Sequence, residues 1–465
     1  MIEKFTQYRD HARVLNVTLA LGLVGLTPLL GGRVLDSLLV LLVLNVLLDR
    51  NSLKNIKRNL PVTLLLSLYP LANIASVYLS DPSEYSELHA PANYKMWAWS
   101  FVALPLTAAL WSPQAATRFI KYIVPASVAI TFAVTLYIWS ETRSRVEPFG
   151  HSVFYAPLLT TSLTLIYLAH TQRHKSHLTA PGLALVGSTL IISIAFSQTR
   201  GILLAQLTAF AFLVAVQIGR RQWRAATALA LTTALSVAIG TATLALASPS
   251  NLNRLKDTAE AARLLLVPEE VSRTSDARDT QSEEGEPPAQ GTDNANSPTT
   301  SEPTKAAPAP EASTQDHEHK DNTGLASHLR QVSTQIEASS AYRLRFWSMA
   351  LDQIVTSPLT GYGAAQEPKL IEKYIDPFFT HVHNMYLSWL LWGGLINLAT
   401  GIAFLAAPLI ARWRQPNAAE LASPTILWAI ALFFDSFLVY PAFHYIFIVF
   451  GTLAYSATLA EGATV

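Results

Sequence analysis

The chain has 465 residues, of which 51% are hydrophobic and only 14% are charged, and its formal net charge is +1. A mean hydropathy of +0.29 is too apolar for an ordinary soluble enzyme of this length, so the composition predicts a membrane protein. The chain contains no cysteine, which agrees with a bacterial cell-envelope protein that needs no disulfides.

Apolar runs long enough to cross a bilayer, about 20 residues each with shorter ones possible, recur along most of the chain. They predict an all-α, polytopic fold with about twelve transmembrane helices. The first run is not a cleavable signal, because a second apolar run follows it at once and no polar domain intervenes. The predicted spans lie near 12–30, 33–48, 60–79, 97–111, 119–139, 152–169, 181–197, 202–218, 225–247, 385–410, 424–440 and 442–461.

The distribution of Lys and Arg orients these spans. If the N-terminus is cytoplasmic, the even-numbered connections should be rich in basic residues, and they are. An odd-numbered connection at 80–95 is acidic and carries one Lys, as expected outside the cell. Both termini are therefore predicted to be cytoplasmic. The basic connections are "DRNSLKNIKRN" (49–59), "TRFIK" (117–121), "QRHK" (172–175), "GRRQWR" (219–224) and "ARWR" (411–414).

A polar region separates the ninth and tenth predicted spans. Residues 268–325 contain almost no large apolar side chains and are dense in Pro, Ser, Thr, Glu and Asp, a composition that cannot bury enough surface to fold. We predict a disordered insertion there. The chain thus divides into spans one to nine (1–247), an extracytoplasmic loop region (248–384) and spans ten to twelve (385–465), with helix-like pieces at 253–267 and 326–357 beside the insertion.

Arginines on the predicted outer side suggest an anionic partner. Arg200 lies in a very tight turn between two apolar spans, and an arginine at membrane depth costs roughly 2.5 to 3.5 kcal/mol on insertion scales. Two anionic partners would offset this insertion cost: the phosphate of a lipid headgroup, or a bound anionic substrate. Arg343 and Arg345 follow in the large loop, where a solvated helix face would also explain them.

The order of several short motifs resembles the O-antigen ligase and polymerase superfamily of lipid-linked glycan transferases. The motifs are "TRG" at Arg200, an Arg four residues before Trp347, "PLTGYG" at 358–363, and His383 with Asn384, which nine intervening residues separate from Gly394. The similarity runs from about Arg200 to Asn397, leaving out the insertion. Asn397 stands where the family usually has a second glycine.

The resemblance implies a metal-independent, inverting transfer at the periplasmic face of the bacterial inner membrane, with no cofactor. The donor would be a glycan on undecaprenyl diphosphate and the acceptor a lipid A-core sugar hydroxyl; membrane lipids are further partners, and nucleic acid is not. A histidine suits the general base because its pKa lies near operating pH, and guanidinium groups suit a diphosphate. His383 takes the first role, and Arg200 and Arg343, ahead of Arg345, take the second.

Two neighbouring residues have supporting interpretations. Asn384 would orient the histidine or bond the donor, but as a helix N-cap it needs no catalytic role. His381, two residues before His383, is a loop residue or a polar partner of the site.

Other activities stay open at this point. Within the superfamily, an O-antigen polymerase would join repeat units instead, and a protein O-oligosaccharyltransferase ranks third because that branch usually carries a further C-terminal region. A polysaccharide transporter would also have many spans and intramembrane charge, but it would not need a large outer loop ending in His-Asn.

Overall fold

The computed structural model describes residues 60–79, 124–142, 164, 186–189, 191–193, 200–247, 338–375, 379–410, 414 and 418–436. In these ranges the chain is helical, with no β-strand. The longer helices are α1 (Leu60–Leu79), α2 (Val124–Thr142), α3 (Arg200–Gly219), α4 (Trp223–Ala247), α5 (Ala338–Thr356), α6 (Glu367–Tyr374), α7 (Met385–Ile410) and α8 (Ala418–Phe434). A short 3₁₀ turn, Ala364–Gln366, precedes α6.

Helix α1 coincides with the predicted span at 60–79, and α2, α3, α4, α7 and α8 overlap five further predicted spans. Helices α3, α4 and α7 are long and apolar enough to cross a membrane. The predictions at 12–30, 33–48, 97–111 and 442–461, and the insertion at 268–325, lie outside the described residues, as do most of 152–169 and 181–197.

Two predicted spans differ in detail from the helices observed. Helix α8 begins at Ala418, earlier than the predicted start at 424, because the charged side chain of Glu420 is accommodated by pairing with Arg220, the residue after α3. The helix ends at Phe434, before the predicted end at 440. Helix α7 spans the predicted 385–410, but it is not continuous, because its backbone breaks at Gly393 and Gly394.

The break in α7 is held by the loop that carries "PLTGYG". Gly394 has φ +60° and ψ −150°, a combination that requires glycine, and a Cβ there would overlap the backbone of Leu359. The backbone N–H groups of Tyr362 and Gly363 donate to the carbonyls of Leu391 and Trp392, at 2.6 and 2.8 Å. The loop thus satisfies backbone groups that the broken helix leaves unpaired, and we name it the clasp (358–363).

Helix α7 is the centre of the bundle and packs against α1, α5 and α8. On the α1 side, the Trp389 indole N–H donates to the Tyr69 hydroxyl at 2.9 Å, and the Asn397 amide donates to Asn73 at 2.9 Å. Asn397 therefore fills the position of the family's second glycine with a buried polar contact between helices. The ring of Trp389 also packs against Gly401, where any side chain would overlap it.

Helices α3 and α8 form an antiparallel pair. A Cβ on Gly201, in the first turn of α3, would overlap the side chain of Phe434 at the end of α8. At the opposite ends of the two helices, the Arg220 guanidinium forms an ion pair with Glu420. The start of α3 and the end of α8 therefore lie together at one end of the bundle.

Candidate functional site

The histidine loop, residues 379–384, enters α7 at the end of the bundle where α3 begins and α8 ends. Asn384 terminates the loop as the N-cap of α7, since its side-chain oxygen accepts from the backbone N–H groups of Tyr386 and Leu387 at 3.1 and 3.2 Å. His383 has φ +56°, a left-handed conformation that costs roughly 1–2 kcal/mol for a residue with a Cβ. The surrounding contacts must therefore hold this backbone in place.

Asp435, the residue after α8, brings the two histidines together. Its Oδ1 lies 3.1 Å from Nδ1 of His383 and 3.5 Å from Nε2 of His381, and it also accepts the Ser436 backbone N–H at 2.8 Å. The two imidazole rings are 4.2 Å apart between centroids. When Nδ1 of neutral His383 donates to the carboxylate, Nε2 keeps its lone pair and can accept a proton.

The electrostatic surroundings favour the neutral form of His383. Burial is the largest cause that lowers the pKa of His383 below its ordinary value, and the positive charges of His381 and Arg343 lower it further. The hydrogen bond to Asp435 and the charge of that carboxylate act in the opposite direction. The net lowering leaves His383 available as a base at neutral pH.

One face of α5 covers the histidine loop. Phe346 is fully buried with its ring 5.9 Å from that of His383, and the Trp347 indole N–H donates to the Val382 carbonyl at 3.2 Å. Arg343 lies one turn before them on the same face, half-buried, and its charge reaches His383. Arg345 points elsewhere on the helix and is exposed. The structure thus brings Arg343 to the histidines and leaves Arg345 away from them.

Arg200 is the first residue of α3, and its backbone belongs to this end of the bundle. Gly201 beside it packs directly on Phe434, the residue before Asp435. The glycine of "TRG" is therefore explained by the close approach of α3 and α8, because no other residue fits there.

Glu367, the first residue of α6, is a buried carboxylate directly behind the histidine loop. Its Oε1 accepts the Val382 backbone N–H at 2.8 Å and the Ser388 hydroxyl at 2.9 Å, and its Oε2 accepts the Trp392 indole N–H at 2.6 Å. Burial raises the pKa of Glu367, while these three donors and the charge of His381 oppose the rise.

The sequence analysis missed both carboxylates. Asp435 carried a usable signal, since it is an ionisable residue inside the apolar run predicted as the span 424–440, and such residues are functional candidates by default. The sequence gives no comparable signal for Glu367, because it lies in a polar stretch with Glu372 nearby and nothing in the spacing distinguishes the two glutamates.

A metal ion is the other species that this cluster could hold. Ligand atoms of His381, His383 and Asp435 lie within 4.8 Å of one another, and two imidazoles with one carboxylate are ligands that suit Zn²⁺ or Fe²⁺. A metal on both histidines would occupy the nitrogen lone pairs that a base needs. The two roles for His383 therefore exclude each other.

The described part of the chain defines an all-helical protein with membrane-length helices and a histidine–carboxylate cluster at one end of the bundle. The family model described as O-antigen ligase matches residues 185–402, which contain α3 to α6, the histidine loop and most of α7. This match confirms the resemblance to the O-antigen ligase and polymerase superfamily that was seen in the sequence. Members of the family are glycosyltransferase-like enzymes that act on lipid-linked glycans. No curated protein matches the chain.

Proposed function

We propose that this protein is an O-antigen ligase, which moves a glycan from undecaprenyl diphosphate to a hydroxyl of a lipid A-core sugar. The observation that carries the proposal is the 3.1 Å contact between His383 Nδ1 and Asp435 Oδ1, within reach of the Arg343 charge and at the end of the bundle where α3 begins at Arg200. A base next to fixed cations is what this transfer requires, and the family match supports the substrate class.

The acceptor hydroxyl loses its proton to Nε2 of His383 as its oxygen attacks the anomeric carbon. The bond between that carbon and the diphosphate oxygen breaks on the opposite face, so the configuration inverts and undecaprenyl diphosphate leaves with the electron pair. Asp435 holds the ring through Nδ1–H and stabilises the imidazolium that forms. This step assigns His383 as the general base and Asp435 as the residue that orients it.

Arg343 and Arg200 stabilise the negative charge that develops on the departing diphosphate. A guanidinium stays protonated under all relevant conditions and presents paired N–H donors that fit phosphate oxygens. Arg343 also disfavours the protonated form of His383 before the reaction, because the two positive charges repel. Arg345 has no part in this step, since it is exposed on another face of α5.

The proposed setting is the bacterial inner membrane, with about twelve spans, both termini in the cytoplasm and the site facing the periplasm. The basic connection 219–224 lies at the end of the α3–α8 pair opposite to the histidines, which agrees with that orientation. A donor anchored by its own lipid tail carries its diphosphate at the membrane surface. The base must therefore lie at that depth.

The lipopolysaccharide of a deletion strain separates ligase from polymerase. Loss of a ligase leaves lipid A-core without any O-antigen bands on a gel, whereas loss of a polymerase leaves core plus a single repeat unit. Core with one repeat would overturn the ligase assignment in favour of the polymerase. Membranes of the same strain, with added purified protein, give a transfer assay in which loss of activity with EDTA would instead indicate a metal on the histidines.

A further inference from the structure

Glu367 connects the two halves of the histidine–carboxylate cluster. The side chain is 2% exposed, so a carboxylate there must be satisfied by donors of the protein. The Glu367 carboxylate accepts three hydrogen bonds, each from a different part of the chain: the histidine loop, the first turn of α7 and the turn before the break in α7. It contacts neither imidazole nitrogen by a hydrogen bond.

Val382, between the two histidines, is held from both sides. Its N–H donates to Glu367 and its carbonyl accepts from Trp347, so the peptide planes before and after it are both fixed. The second plane is the one that defines φ of His383. Since the left-handed backbone of His383 is strained, these two contacts help to hold it, and they set the position from which the His383 ring reaches Asp435.

A second chain of hydrogen bonds runs from Glu367 to the Asp435 segment. Ser388 donates to Glu367, and its Oγ lies 3.1 Å from Oγ of Ser436, which can donate to it. Ser436 in turn donates its backbone N–H to the Asp435 carboxylate. Glu367 therefore supports both partners of the contact between His383 and Asp435.

The clasp brings Glu367 to this place. Gly361 and Gly363 both have positive φ, and the loop binds the carbonyls at the break of α7 before it continues through the 3₁₀ turn into α6. The first residue of α6 consequently faces α7 at Trp392 and Ser388.

We propose that Glu367 is a positioning residue for the transfer reaction, one that sets the geometry between His383 and Asp435 without touching substrate. The inference rests on the proposed function, in which His383 is the base. A displacement of about 1 Å in a reacting group can cost on the order of 100-fold in rate. We expect donor binding at the arginines to change much less, because Arg343 and Arg200 belong to other helices than Glu367.

The test uses Glu367→Gln, assayed for transfer with membranes of the deletion strain as the source of donor and acceptor. An amide oxygen can replace Oε1, but the amide NH₂ then faces the Trp392 N–H, donor against donor. We expect kcat to fall about 10- to 100-fold while the KM for donor stays within about threefold. Glu372→Gln, an exposed glutamate on the same helix, is the matched control and should retain wild-type kcat.

Removal of the conflicting donor provides a rescue. Trp392→Phe lacks the indole N–H, so the double variant Glu367→Gln, Trp392→Phe should return to within about threefold of Trp392→Phe alone. A merely structural glutamate would show reduced yield of folded protein and no rescue of kcat. Wild-type kcat in Glu367→Gln, or a loss that Trp392→Phe leaves unchanged, would overturn the positioning role.

His383→Gln in the same assay separates the two proposals. If His383→Gln is inactive while Glu367→Gln retains wild-type kcat, only the role of Glu367 is wrong. If His383→Gln itself keeps transferring glycan, the base assignment is wrong, and the positioning role is overturned with it.

Discussion

The two ends of the α3–α8 pair each contain a buried carboxylate, but their partners differ in kind. Glu420 pairs with Arg220, whose charge is permanent. Asp435 accepts a hydrogen bond from Nδ1 of His383 and lies 3.5 Å from Nε2 of His381, and the imidazole of His383 can take up a proton. The first end can only hold helices together, whereas the second can take up and release a proton. Composition alone would not separate these two ends, since both are buried acidic groups beside basic ones.

The backbone repeats this contrast. Arg221 and His383 both have positive φ. At Arg221 the local helix end explains it, because Arg221 N–H donates to the Ile218 carbonyl and Gln222 N–H to the Gln217 carbonyl, the hydrogen bonds of a Schellman motif. His383 precedes a helix, and contacts from distant parts of the chain hold it. Strain that local structure does not require is typical of functional sites.

The largest effect should come from removing the titratable group. We expect His383→Gln and His383→Ala to lower transfer about 100- to 10,000-fold while the protein still inserts and binds lipid-linked donor. Glu420→Gln, at the opposite end, should retain transfer per folded molecule. His381→Ala should lose much less than His383→Ala; if the two histidines exchanged these behaviours, the base would be His381.

The next largest loss of transfer rate should come from removing the permanent positive charge of Arg343 or Arg200. Arg343→Ala should lower kcat about 100-fold because one charge-stabilising donor is lost, and Arg343→Lys should recover only part of it. Arg200→Ala and Arg200→Lys should behave in the same way. Arg345→Ala, on the exposed face of α5, is the control. Near-normal donor turnover in Arg343→Glu or Arg200→Glu would remove that residue from the diphosphate site.

A direct exchange of the two carboxylates for amides sharpens the comparison further. Asp435→Asn should slow transfer about 10- to 100-fold, the value of one charge-assisted hydrogen bond expressed as a rate. Glu420→Gln should instead lower the free energy of unfolding by about 1–3 kcal/mol, since the Arg220 guanidinium loses its ion pair with this carboxylate. Thermal unfolding and transfer rate should both be measured on both variants. We expect Asp435→Asn to affect mainly the transfer rate and Glu420→Gln to affect mainly the unfolding temperature; if the two variants changed both quantities equally, the contrast between the two ends would be wrong.

The smallest expected effect is on pH dependence. The transfer rate should fall on the acidic side as His383 becomes protonated, with a midpoint below the ordinary histidine pKa of about 6.5, because burial, His381 and Arg343 outweigh Asp435. Arg343→Gln removes one of the repelling charges, so it should raise that midpoint by less than about one pH unit. A midpoint that moves down in Arg343→Gln, or a wild-type midpoint above 6.5, would contradict the electrostatics of the site.

The helices were predictable from the sequence where a long apolar run defines them. The spans at 60–79, 202–218, 225–247 and 385–410 have close counterparts in α1, α3, α4 and α7. The break inside α7 was not predictable, since Gly393 and Gly394 sit in an apolar run that a continuous helix also tolerates. The clasp that stabilises the break begins 27 residues before α7 in the sequence, as Pro358 and Met385 mark.

Part of the candidate site follows from the order of motifs, which nominated His383, Arg343 and Arg200. The carboxylates do not follow from it, because Asp435 and Glu367 meet the histidines only through tertiary packing. Local patterns report which residue types are present along one segment. They do not report that the end of α8 lies against the start of α3.

The packing of α3 against α8 also has a consequence for biogenesis. The ribosome delivers the chain from the N-terminus, so Arg200 enters the membrane long before Asp435 is synthesised. A nascent or stalled chain that lacks α8 carries both histidines but no carboxylate to orient them. Assembly of the histidine–carboxylate cluster therefore waits for the synthesis of α8 and Asp435, and a chain without them would lack the residue that orients His383.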